Sequence, residues 1–143
     1  MAKKVAIARK VLDSWALLSW LKGAPHAAGE VRRILEQSEQ GRVELLMSIM
    51  NVGEVYYILA KNVGPQEAEN FLGDFRGMPV KSVAVPKALV MAAAHLKAKY
   101  PISYADAIAA ETAVRTGAPL VTGDPDFKRF VGGDIVQIEW IGT

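Results

Sequence analysis

Short runs of β-forming residues alternate with longer helical runs along this chain, and no other feature constrains its fold as strongly. Residues 10–13 read as the end of a strand and 14–22 as a helix, broken by Gly23-Ala-Pro25. Residues 26–40 read as an exposed helix with Glu30, Arg32, Arg33 and Glu36 on its polar side. A second strand is predicted over 43–48 and a helix over 49–61, after which Gly64-Pro65 opens another helix through Asp74. The third strand is predicted over 80–85. Pro86 suits the first turn of a helix reaching Lys99 or Tyr100, where Pro101 stops it. A further helix over 103–116 is closed by Gly117, with Pro119 soon after. The last strands are predicted over 120–122 and 135–138, with a short helix over 125–130 between them. Strands separated by helices are joined by crossovers and not by hairpins. The order therefore predicts an α/β fold with a mostly parallel central sheet flanked by helices. With no repeat, low-complexity segment or linker, residues 1–143 are expected to form one domain.

Composition narrows the chemistry. The chain has no Cys, which removes disulfides, zinc fingers, iron–sulfur clusters and thiol nucleophiles. Its two histidines, His26 and His95, form no metal-binding spacing. A hydrophobic fraction of 51% with 22% charged residues argues against disorder. The net charge of +2 permits a nucleic-acid partner without arguing for one. No apolar run approaches the roughly 18 to 20 residues of a membrane span. The basic start turns apolar but is interrupted at Arg9 and Lys10, too early for a secretory signal, so the expected location is the cytoplasm.

Carboxylates are what remains. Asp13 follows the first strand, and Asp124 follows the fourth, with Pro125 at the next position. Asp106 lies three residues after Ser103. Each has a bland reading, since Asp is a favoured N-cap and Ser103 with Asp106 resembles a capping box. In a parallel sheet, however, all three helix starts fall at the carboxyl edge of the strands, where open α/β folds bind ligands. Glu54 is the only acid in an otherwise apolar helix, which the pattern reads as buried, and it lies towards the same edge. Four carboxylates in one cleft repel each other unless a cation neutralises them. An all-oxygen set suits a hard ion such as Mg2+ or Mn2+, and such ions serve phosphodiester hydrolysis.

These same segments are where the chain resembles the PIN-domain nucleases, and among them the VapC-type toxins of toxin–antitoxin pairs. The resembling segments are Val11-Leu-Asp13-Ser14, Asn51-Val-Gly-Glu54-Val-Tyr, Ile102-Ser-Tyr-Ala-Asp106-Ala-Ile-Ala-Ala110 and Leu120-Val-Thr122-Gly-Asp124-Pro-Asp-Phe127. They occur in the family's order and cover nearly the whole chain. The resemblance implies a PIN-like domain with Mg2+- or Mn2+-dependent endoribonuclease activity on RNA. It assigns Asp13, Glu54, Asp106 and Asp124 as the catalytic acids, with Asp13, Asp106 and Asp124 holding the metal. Ser14 and Thr122 become supporting hydroxyls, and Asp126 an outer or capping group. It further implies a homodimer and an inhibitory antitoxin protein as partner. About ten residues rich in Lys and Arg precede Asp13, more than such toxins usually carry.

Other enzyme classes fit less well. Haloacid-dehalogenase phosphatases need D-x-D, but Asp13 is followed by Ser14 and Trp15, and a receiver domain needs a late Lys that residues 134–143 lack. An RNA-processing or decay nuclease, and a PIN-like module that binds without cutting, remain the alternatives. Residues 88–94 read as a buried helix face or a subunit contact. Lys128 and Arg129 read equally as a solvated face or as contacts to RNA phosphates. Trp15, Trp20 and Trp140 read as packing residues.

Overall fold

The five strands β1 (Ala8–Leu12), β2 (Val43–Ser48), β3 (Lys81–Val83), β4 (Leu120–Thr122) and β5 (Ile138–Trp140) lie in the order β3-β2-β1-β4-β5. Every neighbouring pair is parallel. The coordinates are a computed structural model describing residues 7–143, so the basic start up to Ala6 lies outside the described residues. Helices α1 (Ser14–Lys22), α2 (Ala27–Glu39), α3 (Ile49–Asn62), α4 (Pro65–Gly77), α5 (Lys87–Lys99) and α6 (Tyr104–Thr116) supply the crossovers. A short 3-10 helix, Pro125–Phe130, joins β4 to β5.

Strand alternation builds a core on each face of the sheet. Leu12, Leu45, Met47 and Val121 point towards α1 to α4, where they meet Leu17, Val31, Ile34, Val55 and Phe71. Val11, Leu46 and Leu120 point the other way, against Leu89, Leu96, Ile108, Ala109 and Phe127. The chain winds outwards from β1 through β2 to β3 on one side. It then returns across the opposite face through α5 and α6 to β4, so the direction of winding reverses between β1 and β4.

The expected α/β architecture is observed, and the sheet is wholly parallel. Boundaries differ where pairing overrides local propensity. The third strand is Lys81–Val83 and not 80–85, because its partners Leu46, Met47 and Ser48 end where β2 hands over to α3. The last strand is Ile138–Trp140 and not 135–138. It pairs only with the three residues of β4, while Val136 is apolar for another reason, filling the core beside Phe127. Helix α4 continues past Asp74 to Gly77 because Phe71 and Phe75 pack together against the sheet. Helix α3 is not buried all round. Asn51, Val52 and Val55 face inwards, while Ile49, Met50 and Tyr57 are exposed. In the 88–94 run, Leu89 and Ala93 enter the core and Met91 points out.

Phe127 is fully buried and anchors the 3-10 helix that follows Asp124. Phe127→Ala should lower stability by about 3–5 kcal/mol, the usual cost of emptying a buried aromatic position. Urea denaturation read by circular dichroism would measure it.

Candidate metal centre

Parallel pairing brings the ends of all five strands to one edge, and the acids follow from it. Asp13 is the residue after β1 and caps α1, its Oδ1 accepting from the Ala16 N–H at 2.8 Å. Its Oδ2 accepts from the Thr122 hydroxyl at 2.5 Å, so the ends of β1 and β4 are tied across the point where the winding reverses. The Thr122 hydroxyl in turn accepts from the Asp124 N–H at 3.1 Å. Asp124 caps the 3-10 helix, its Oδ1 accepting from the Asp126 N–H at 2.9 Å. Ser103 caps α6 by accepting from the Asp106 N–H, which sets Asp106 in the first turn. The bland capping roles of Asp13 and Asp124 are therefore real, and they aim these side chains without using up the acids.

Helix α3 brings the fourth acid. Ser48 caps it, and nearly two turns later Glu54 accepts a hydrogen bond from the Ser14 hydroxyl. Asn51 is fully buried and reaches between layers. Its Nδ2 lies 3.3 Å from the Ala105 carbonyl oxygen at the start of α6 and 3.5 Å from Glu54 Oε1. Its Oδ1 has no partner among the described residues. Sequence reasoning passed over Asn51. The signal was its i, i+3 spacing from Glu54, which puts both on one helix face.

The electrostatics match this crowding. Burial pushes the Asp13 carboxyl up to about 8, against the lowering influence of Thr122 and Ala16 and with help from the Asp106 and Asp124 charges. Burial also lifts Asp106 to about 7, reinforced by the charges of Asp124, Glu54 and Asp126. Asp13, Asp106, Asp124 and Glu54 thus share one neighbourhood. The tightest grouping is Asp106, Asp124 and Asp126, each offering a carboxylate oxygen within 4.8 Å of the others. Asp126 joins this trio although the sequence resemblance gave it an outer or capping role. Asp13 is outside this trio, and each of its oxygens accepts one hydrogen bond and keeps a lone pair free. Carboxylates that raise one another's pKa, with no nitrogen or sulfur donor among them, fit a hard divalent cation.

Similar folds recur among solved structures. The structure of VapC20 from Mycobacterium tuberculosis, described as a sarcin-ricin loop cleaving toxin, superimposes with a TM-score of 0.69 at 16% identity, covering 90% of this chain and 98% of that one. VapBC2 from Rickettsia felis bound to a promoter DNA fragment gives 0.68 at 15% identity, covering 92% and 97%. A toxin–antitoxin complex from Klebsiella pneumoniae gives 0.61 at 18% identity, covering 90% and 99%. Among curated proteins, no sequence match was found. These likenesses show a shared fold. The PIN domain model matches residues 10–133, a span that contains all five acids and all five strands except the start of β1 and the whole of β5. With most of its length matched and its acids gathered where the sheet reverses, the chain belongs to the PIN domain family.

Proposed function

We propose that this protein is a divalent-metal-dependent endoribonuclease that hydrolyses RNA phosphodiester bonds and acts as the toxin of a type II toxin–antitoxin pair. The observation that carries this reading is the gathering of Asp13, Asp106 and Asp124, with Glu54 and Asp126, at the reversal point of a PIN-family sheet. Asp13, Asp106 and Asp124 would hold Mg2+ or Mn2+, with Asp126 inside the same reach. When bound, such an ion polarises a phosphoryl oxygen and lowers the pKa of water. The protein's own groups do the rest. Thr122 fixes Asp13, and Asp13 and Asp106 lie buried, where their attraction for a cation is less screened than in water. Glu54, held by Ser14 and outside the carboxylate trio, would take the proton of an attacking water as general base.

A protein partner is the second element of this reading. A cavity of about 330 Å³ lies between α1, α3 and α4, lined by apolar side chains such as Leu18, Ile58 and Phe71 and by the charged Lys22, Glu67 and Asp74. At its rim Leu21 and Val63 are exposed. The toxin–antitoxin complex with a similar fold supports an antitoxin as partner, and this surface is the one proposed to receive it. A second copy of the chain is proposed on the outward apolar side chains Ile49, Met50, Tyr57 and Met91. No described helix is long and apolar enough to cross a membrane.

The decisive variant is Asp124→Asn. Asn caps helices as well as Asp does, so folding and melting temperature should hold or improve. Cleavage of a single-stranded RNA with Mn2+ should fall at least about tenfold to hundredfold, the scale on which disturbing a metal site's supporting groups weakens it. Activity in wild type should vanish with EDTA. Full activity in Asp124→Asn and in Asp13→Asn would leave capping as the whole role of these residues.

Stability should respond to pH and metal together. Asp13 and Asp106 keep their protons in the fold up to about 8 and about 7, against 3.8 when unfolded. The metal-free fold therefore binds more protons than the unfolded chain. Its extra stability is complete below about pH 4 and is lost as pH rises through 7 and 8. The melting temperature without metal should fall from mildly acidic to mildly alkaline pH, and millimolar Mn2+ should restore it at the alkaline end by mass action. A flat profile, unmoved by Mn2+, would count against a preformed ion site.

A further inference from the structure

Beside the acids, at the carboxyl ends of β4 and β5, lies a pocket that the catalytic reading leaves unused. Its volume is about 270 Å³, and Trp15, Trp140, Pro125 and Lys128 line it around the backbone of Gly123 and Gly142. That is just under the usual range of about 300–1,000 Å³ for ligand sites, a size for one small group. Both tryptophans are half-buried and Lys128 is exposed.

The two glycines seat the indoles that wall this pocket. A Cβ on Gly123 would lie 2.4 Å from the Trp15 ring and 2.7 Å from the Gly142 nitrogen. A Cβ on Gly142 would lie 2.7 Å from the Trp140 ring and 3.0 Å from the Gly123 oxygen. Both indoles therefore lie directly on bare backbone, at the point where the Ile141 N–H still donates to the Thr122 carbonyl and extends the β4–β5 ladder. Trp15 packs with the core under α1 to α4, and Trp140 with the core under α5 and α6. The pocket sits where these two layers meet.

Its place decides its occupant. Gly123 and Pro125 flank Asp124, and Trp15 is two residues from Asp13, so the pocket is built on the same two segments that carry these acids. A ligand lying across both must bring an anion that tolerates the acids only through a cation, and must present a flat apolar group to the indoles. A nucleotide does both. Its phosphate would belong to the metal centre, its base to the tryptophans, and a neighbouring phosphate to Lys128.

We propose that Trp15 and Trp140 form a nucleobase subsite that holds one unstacked base next to the scissile phosphate. This rests on the nuclease reading above and adds to it a demand for single-stranded or splayed RNA, since a base still paired in a duplex cannot enter. Specificity then depends partly on the subsite and not only on the metal centre.

The test uses the full chain with Mn2+ and fluorescent single-stranded RNA oligonucleotides, one intact and others carrying a single abasic residue at successive positions around the cut. Trp140→Leu should raise KM at least about fivefold, the low end of what losing one aromatic stacking platform costs, with kcat unchanged. Trp140→Phe, which keeps a ring, should recover most of that loss. In wild type one abasic position should cost as much as Trp140→Leu does, and that position should cost the variant nothing more. A folded Trp140→Leu with wild-type KM, or abasic losses equal in variant and wild type at every position, would overturn the subsite while leaving the nuclease standing. If Trp140→Leu does not fold, the abasic scan on wild type decides, and a uniform profile overturns the subsite. If wild type cuts no RNA, the nuclease reading fails by itself. Fluorescence anisotropy of the intact oligonucleotide then judges the subsite, which survives on weaker binding by Trp140→Leu and falls on equal binding or none.

Discussion

The carboxylate of Asp13 is buried between the ends of two strands, and the rest of the site is arranged around that burial. A charge placed there is costly unless it is compensated, and the compensation visible in the fold is two hydrogen bonds, one from the Ala16 N–H and one from the Thr122 hydroxyl. The first starts α1. The second joins β1 to β4 where the winding of the sheet reverses. Even so, burial leaves the group with a raised pKa, and Asp106 and Asp124 add to it. The fold thus carries an electrostatic cost that a bound cation would relieve, and the stability of the protein and its proposed chemistry are coupled through the same groups.

The site is held by short, local devices and not by long-range ion pairs. Asp13, Ser48, Ser103 and Asp124 each cap the helix that follows them. A cap fixes the direction of its side chain within a fraction of a turn, which is the precision a ligand site needs. Capping and ligation are therefore compatible for Asp124, because a carboxylate has more acceptor capacity than one backbone N–H consumes. Besides Thr122 to Asp13, two further tethers run between elements rather than within them: Ser14 to Glu54, and Asn51 to the Ala105 carbonyl. They bind α3 to α1 and α6, so the acid on the outer helix moves with the others.

The apolar surface has a related logic. The pattern of α3 reads as that of a helix buried all round, yet six of its fourteen residues are exposed in the isolated chain. Apolar residues at Ile49, Met50 and Tyr57 contribute nothing to the core and are not explained by the fold alone. The proposed contacts with a second copy and with an antitoxin account for such residues. They leave the carboxyl edge with its acids, and the tryptophan pocket beside it, as the surface proposed to meet RNA.

Much of this was legible in the sequence, for identifiable reasons. Alternating strand and helix periods specify a parallel α/β sheet, because parallel neighbours require crossovers. The same topology sends Asp13, Asp106 and Asp124 to one edge without any knowledge of contacts, since strand-to-helix junctions of a parallel sheet lie there and α6, which runs back to the start of β4, begins there too. Local signals such as Gly117 at positive φ and Pro125 after Asp124 placed helix ends well. What the sequence could not decide depends on which residues meet across space. The start of β5 was set by the three pairing positions of β4, and the end of β3 by where β2 stops. The entry of Asp126 into the tightest carboxylate group, the burial of Asn51 against α6, and the pocket between Trp15 and Trp140 all join residues far apart in the chain. Periodicity reports which face of an element is apolar, but only packing of one element on another fixes the distances between side chains, and those distances decide which acids can share an ion and which rings can share a base.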